Sequence, residues 1–363
     1  MSDFFELDFL DIESKKSGDA IPIRYELNGT TWIHLVDGGY QACGEKVINH
    51  IRTYYTNQSY IDKVIVTHPD GDHTGGLRTV LKEIDVKELW MLRPWTYAEE
   101  IISRFVNYTS VERLRQRLKA VYPNLAALEE IAIERGIPIY EPFQGARIGA
   151  FTVLAPTKSR YLDLIVESER TPESVEEAEE SSVAALGRFV ERVAAKAVNF
   201  LRSAWGEEVF STDETSAENE MSVIQYANLC GQRILLTGDA GRAALTEAAD
   251  YAPYVGLYLP GLDRFQVPHH GSRRNVSTEI LDRWLGERIP ARLLHGQEKF
   301  HAIISSAKED TDHPRKAVVR ALYHRGGNVV ATEGVDLRNS YNAPLRANWG
   351  PVQPLDYPEE QEE

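Results

Sequence analysis

The stretch "VIVTHPDGDHTGGL", residues 64–77, constrains this chain more than any other. An apolar, β-branched run reads as a buried strand and stops abruptly, and His68, Asp70, Asp72 and His73 follow at once. Such a turn can point two pairs of ligands to opposite sides of one small volume, which suits two metal ions a few ångströms apart. The pattern recurs. Asp37 in "HLVDGG", Asp239 in "ILLTGDA" and His269–His270 in "VPHHGS" each close an apolar strand, where loops collect on one edge of a sheet. Each is weak alone; their order along the chain makes them strong together.

The chain has 363 residues, enough for one large domain or two small ones. Its formal charge of −15 repels polyanions, so phosphate or nucleic-acid binding needs a local basic patch or a metal. The two cysteines, Cys43 and Cys230, are far apart and lack C-x-x-C spacing. That fits a reducing compartment and argues against a disulfide scaffold or a cysteine-based zinc site. The acidic start "MSDFFELDFLDIESKKSGDA" is neither a signal nor a transit peptide, and no run approaches the roughly 18 apolar residues that span a bilayer. The expectation is a cytoplasmic protein with no membrane partner.

Strand patterns fill the first 90 residues and return at "IPIYEP", "ARIGAFTVLAPT", "MSVIQYANLCGQRILLTGDA", "RFQVPHHGS", "ARLLH" and "NVVATEG". "NLCG" reads as a hairpin turn. Helical spacing marks "CGEKVINHIRTYYTNQ", "VERLRQRLKAVYPNLAALEEIAIERG", "AALTEAADYA", "TEILDRWLG" and "PRKAVVRALYHRGG". Residues 158–218 differ: an acidic stretch, then an amphipathic helix over "VAALGRFVERVAAKAVNFLRSAW", then polar "STDETSAENE". They read as an inserted arm or cap. Residues 1–157 and 219–349 are then two halves of one domain, and the proline- and acid-rich 350–363 is a disordered tail.

The order of these motifs resembles the metallo-β-lactamase-fold hydrolases. Their H-x-H-x-D-H signature stands here as H-P-D-G-D-H, with Asp70 in place of the second histidine. That aspartate, "LLTGD" and "VPHHGS" are similar to the free-standing ComEC-like hydrolases. The resemblance implies an α/β fold, an αββα four-layer sandwich of two mixed β-sheets flanked by helices. It implies two divalent metal ions as cofactors. His68, Asp70 and Asp239 hold one; Asp72, His73, Asp239 and one of the paired histidines, His270 in preference to His269, hold the other. Asp37 supports the site. None of the ten histidines lies between His73 and Asp239, where the family carries a further ligand, so Asn219 or Ser222 of "NEMSVIQYA" occupies that place. Oxygen-rich ligation shifts preference from zinc toward manganese or magnesium.

Further roles follow from position. His269 is an outer or substrate-facing histidine, and His313 of "TDHPRKAV" a proton donor to a leaving group. Asp72 also orients the attacking water. Arg273 and Arg274, next to Ser272 in "HHGSRRN", are suited to phosphate oxygens. The expected function is a metal-dependent phosphodiesterase or nuclease acting on a nucleic acid or nucleotide. Hydrolysis of a carboxylic ester, thioester or lactone is the alternative, and a non-catalytic metal-binding subunit docking through the 158–218 arm is the third.

Overall fold

The computed structural model describes residues 3–13, 15–55, 60–172 and 200–362. Two seven-stranded sheets dominate it, and they share one pattern. The first runs Leu337–Tyr341, Phe4–Phe9, Ile21–Leu27, Thr30–Val36, Lys63–Ile65, Leu89–Trp90, Ile139–Tyr140. Its first three pairings are antiparallel and its last three parallel. The second runs Gly327–Ala331, Phe300–Ile304, Arg264–Gln266, Gln232–Leu236, Ile224–Leu229, Phe151–Ala155, Arg147–Ile148. Here three parallel pairings are followed by three antiparallel ones.

Alternation along the strands sets the layers, because successive side chains leave opposite faces. Ile234 and Leu236 join the cluster that contains Phe5, Leu7 and Ile23 of the first sheet. Leu235, between them, packs instead with Ala244, Leu245 and Trp284 of the outer helices. Helices Gly44–Tyr54, Leu77–Glu83 and Pro123–Arg135 cover the first sheet through Val47, Val80 and Leu128. The result is the four-layer αββα sandwich.

Local chemistry explains several boundaries. Pro123 splits the long helical pattern into Val111–Val121 and Pro123–Arg135, and Gly136 ends the second helix in the left-handed region. The "NLCG" hairpin turns on Cys230 and Gly231, both at positive φ. In "HTGGL", a Cβ on Gly76 would lie 2.0 Å from the Gly38 carbonyl oxygen. Only glycine lets the ligand turn pack against the loop after Asp37.

Three expectations need correction. "ARLLH" forms no strand; Leu294 is exposed and Arg292 lies over the Tyr323 ring. The segment from 158 begins inside the core: helix Lys158–Glu167 buries Tyr161, Leu164, Ile165 and Val166. Much of the amphipathic helix read over 183–205 lies outside the described residues, but Trp205 and Phe210 pack on the second core cluster. The tail is ordered rather than loose. Leu355 N–H donates to Val329, and Glu360–Glu362 pairs with Phe200–Arg202. The Glu362 carboxylate accepts from the N–H groups of Lys316 and Ala317, capping helix Lys316–His324 where an anion is favoured. Among the described residues, no helix is long and apolar enough to cross a membrane.

Candidate metal centre

Strand pairing assembles the site. Thr30–Val36 and Lys63–Ile65 run parallel, so Asp37 and the turn 66–73 leave the first sheet side by side. Gln232–Leu236 and Arg264–Gln266 do the same in the second sheet, delivering Asp239 and His269–His270. Both exits open at carboxyl ends of parallel strands, and the sandwich brings them together.

Asp239 is the hub. One of its oxygens lies 3.2 Å from His73 Nε2 and 3.9 Å from His270 Nε2. The other lies 3.7 Å from both His68 Nε2 and His269 Nε2. Asp72 stands 3.6 Å from His270 Nε2 and 4.0 Å from His73 Nε2. Among the described residues, three groups of side chains come close enough to share an ion: His68, His73 and Asp239; Asp72, His73 and His270; Asp19, Asp239 and His270.

His68 Nε2, His73 Nε2, both nitrogens of His270 and one oxygen of Asp239 are buried with no hydrogen-bond partner. Buried polar atoms normally have partners, so several orphans converging on one volume fit a bound cation. The charge balance agrees. Burial alone would lower the His270 pKa, but Asp239, Asp72 and Asp19 carry it up to about 9. His73 is likewise pushed well above its ordinary value, against burial, by Asp239 and Asp37. Burial opposes ionisation of Asp239, yet the surrounding imidazoles hold its carboxyl well below the usual range. The acids demand positive charge, which protons or a divalent ion can supply.

Supporting contacts fix the rings. Asp37 accepts from His73 Nδ1 at 2.7 Å and from the N–H and hydroxyl of Thr67 at 2.9 and 2.6 Å. A carboxylate behind a ligating histidine sets its tautomer and aims its other nitrogen. Ser222 Oγ accepts from the Asp239 N–H, and Asn275 donates to the Asp239 carbonyl. Asn219 Nδ2 lies 2.9 Å from His269 Nδ1. Asn219 and Ser222 therefore hold other site residues in place.

Of the paired histidines, His270 is buried among the candidate ligands while His269 faces outward, 30% exposed. Both sit at positive φ, 47° and 54°, a conformation that turns the two rings apart. His313 stacks on His269 with ring centroids 5.4 Å apart, and its Nδ1 lies 3.3 Å from Asp310. Burial, with His270 and His269 beside it, pushes the His313 pKa down to about 4.

Other expected residues land less centrally. Asp70 belongs to none of the three groups; one oxygen is 3.8 Å from His68 Nε2 and the other is bonded to Arg170 at 2.7 Å. Arg274 points to Asp213 at 3.3 Å, both largely exposed. Arg273 is half-buried, and its carbonyl accepts from Ser211. Ser272 is buried, and its hydroxyl accepts from the Arg274 N–H.

Two site residues were not anticipated. Asp19 is fully enclosed, 3.8 Å from His73 Nδ1 and bonded to Gln266 Nε2, with burial raising its pKa. Arg170 is the other.

Residues 29–125 match the family model of the metallo-beta-lactamase superfamily. That match spans about a quarter of the chain and makes this segment similar to the superfamily. Most of its members are metal-dependent hydrolases. Solved structures similar to this chain include hydrolase AbOPH of the beta-lactamase superfamily, at 11% identity, covering 68% of this chain and 71% of that one, with a TM-score of 0.32. A beta-lactamase domain protein from Burkholderia ambifaria matches at 12% identity, over 71% and 67%, with a TM-score of 0.32. CmlA, a diiron beta-hydroxylase from Streptomyces venezuelae, matches at 13%, over 94% of this chain and 54% of its own, with a TM-score of 0.36. No curated protein matches the sequence.

Proposed function

We propose that this chain is a metallo-β-lactamase-fold, binuclear metal-dependent hydrolase whose substrate is a phosphodiester in a nucleic acid or nucleotide. The observation that carries the metal part is the convergence of partnerless, buried nitrogens of His68, His73 and His270 on Asp239. His68, Asp70 and Asp239 would hold one ion, and Asp72, His73, His270 and Asp239 the other. Bound there, the ions would supply Lewis-acid polarisation and a water of lowered pKa. The protein's own residues do the rest. Asp37 and Thr67 fix His73 and the strand exit, Asp72 orients the attacking water, and His313, held by Asp310, stands to exchange a proton with the leaving group. His269, outward and braced by Asn219, faces substrate.

The phosphodiester part rests on the ComEC-like motifs, H-P-D-G-D-H and "VPHHGS", and on Arg273 beside the histidine loop. The pairing of Arg274 with Asp213 takes one guanidinium away from that role, and it favours as second reading a neutral ester, thioester or lactone. Metal-loaded protein should be assayed against single- and double-stranded DNA, RNA, cyclic dinucleotides, esters and lactones. Cleavage of esters or lactones with no phosphodiester turned over would replace the first reading by the second.

Two results are expected alongside. Manganese should support faster turnover than zinc at matched occupancy, because Asp70 stands where an imidazole usual for zinc would be and three carboxylates share the set with three imidazoles, and Asp70→His should move the preference toward zinc. Faster turnover with zinc in the unaltered protein contradicts the ligand argument. Asp37→Ala should weaken metal binding by roughly 10–100-fold, the usual effect of losing a carboxylate behind a ligating histidine. Competition against a chromophoric chelator measures it.

A further inference from the structure

We infer that Arg170 is the positioning residue for Asp70, holding one carboxylate oxygen outward so that the other faces the metal centre. The inference rests on the metal reading above. Asp70 stands at the rim with its two oxygens divided: one 2.7 Å from Arg170 Nη2, the other 3.8 Å from His68 Nε2. An imidazole at this position would be held by ring packing. A short carboxylate on a turn has no such constraint and rotates freely unless something grips it. Ligating carboxylates are commonly fixed by a hydrogen-bond donor behind them.

Arg170 is itself braced. Its Nε lies 3.5 Å from Glu218, which is buried and accepts from Ser168 Oγ, and Ser168 in turn accepts from Tyr122 at 3.1 Å. The Arg170 N–H also donates to Ser168 Oγ. Glu218 precedes Asn219 on helix Ala217–Glu220, and Asn219 reaches His269. One network therefore spans the rim, from Asp70 on the first sheet's turn to His269 on the second sheet's loop.

As a stability element the Arg170–Asp70 pair contributes little, because the arginine side chain is 43% exposed and water screens such pairs. Orientation of Asp70 is where its geometry matters. The guanidinium charge acts the other way, by repelling a cation. Screening at the rim weakens that repulsion, whereas a misaimed carboxylate loses its bond outright.

The test compares unaltered protein, Arg170→Ala and Arg170→Lys, each titrated with manganese and counted by elemental analysis after dialysis. The unaltered protein should hold two ions. Arg170→Ala should keep one at unchanged affinity and bind the other roughly 10–100-fold more weakly. Its electron paramagnetic resonance spectrum should lose the signature of two coupled ions. Arg170→Lys, which keeps a cationic donor, should recover most of the loss, and the metal-free forms should unfold at the same temperature. Arg170→Ala holding both ions as tightly as before, or either more tightly, overturns the inference. Should the unaltered protein take up only one ion, the binuclear reading fails there. The inference then stands if Arg170→Ala still weakens that ion 10–100-fold, and falls if it does not. An unaltered protein that takes up none removes both.

Discussion

Asp239→Asn is expected to empty both metal positions and to lower turnover by at least about 10³-fold, the upper end for losing one charge-stabilising group. Among the described residues, Asp239 is the carboxylate that lies within 4 Å of all four imidazoles of His68, His73, His269 and His270. Asparagine keeps the shape and removes the charge, so any loss reports electrostatics rather than a cavity. The His270 titration gives an independent check in the metal-free protein. Its pKa, held near 9 chiefly by Asp239 against burial, should fall in the variant. A raised histidine pKa stabilises the fold below its unfolded value near 6.5, and that contribution fades as pH rises through about 9. The variant should therefore lose stability below neutral pH and differ little in alkali. Normal metal stoichiometry in Asp239→Asn would show that it does not bridge the two positions.

Glu208→Gln should destabilise the protein by about 3 kcal/mol at pH 7. Glu208 is 1% exposed at its side chain and accepts from Arg325 at 2.6 Å, His324 at 3.0 Å and Thr278 at 2.9 Å. Burial opposes its ionisation, but His324 and Arg325 bring its pKa from 4.5 down to about 2. Because the folded value is depressed, the stabilisation is present above 4.5 and lost as pH falls through about 2. The variant also leaves the fully buried Arg325 with only Asp282 as ionic partner, at 2.6 Å. Urea unfolding of both proteins at pH 7 and in acid measures the effect. A difference that stays constant down to pH 2 would refute this account.

The candidate ligands were readable because each follows an apolar strand, where a parallel sheet gathers its loops. His68, Asp72, His73, Asp239 and His270 all obey that rule. Asp19 does not, since it precedes the strand Ile21–Leu27. That strand runs antiparallel to Thr30–Val36, with Ile21 opposite Val36, so its beginning lies at the other strand's end. Pairing direction, which periodicity does not encode, carries Asp19 into the site. Arg170 escaped notice for a different reason: it is a hundred residues from Asp70, in a segment whose acidity looked like solvated surface. Composition misled at the tail as well. Glu362 is buried because a helix N-terminus needs an anion, a demand visible only once helix Lys316–His324 is placed beside it.

The strand Leu337–Tyr341 closes the first sheet by pairing with Phe4–Phe9, across more than 320 residues of chain. During synthesis, Phe4–Phe9 therefore waits with one edge open until Leu337–Tyr341 has been made. Such an edge invites pairing with other chains. Glu6 and Asp8 lie on this waiting strand, and Arg338 and Arg346, which neutralise them in the finished fold, arrive last. Until then these carboxylates have only their earlier partners, Arg24 for Glu6 and His50 for Asp8, and incompletely paired charge on an open edge disfavours aggregation. The same charges that lock the completed sheet protect the nascent one, and closing it is a slow, long-range step.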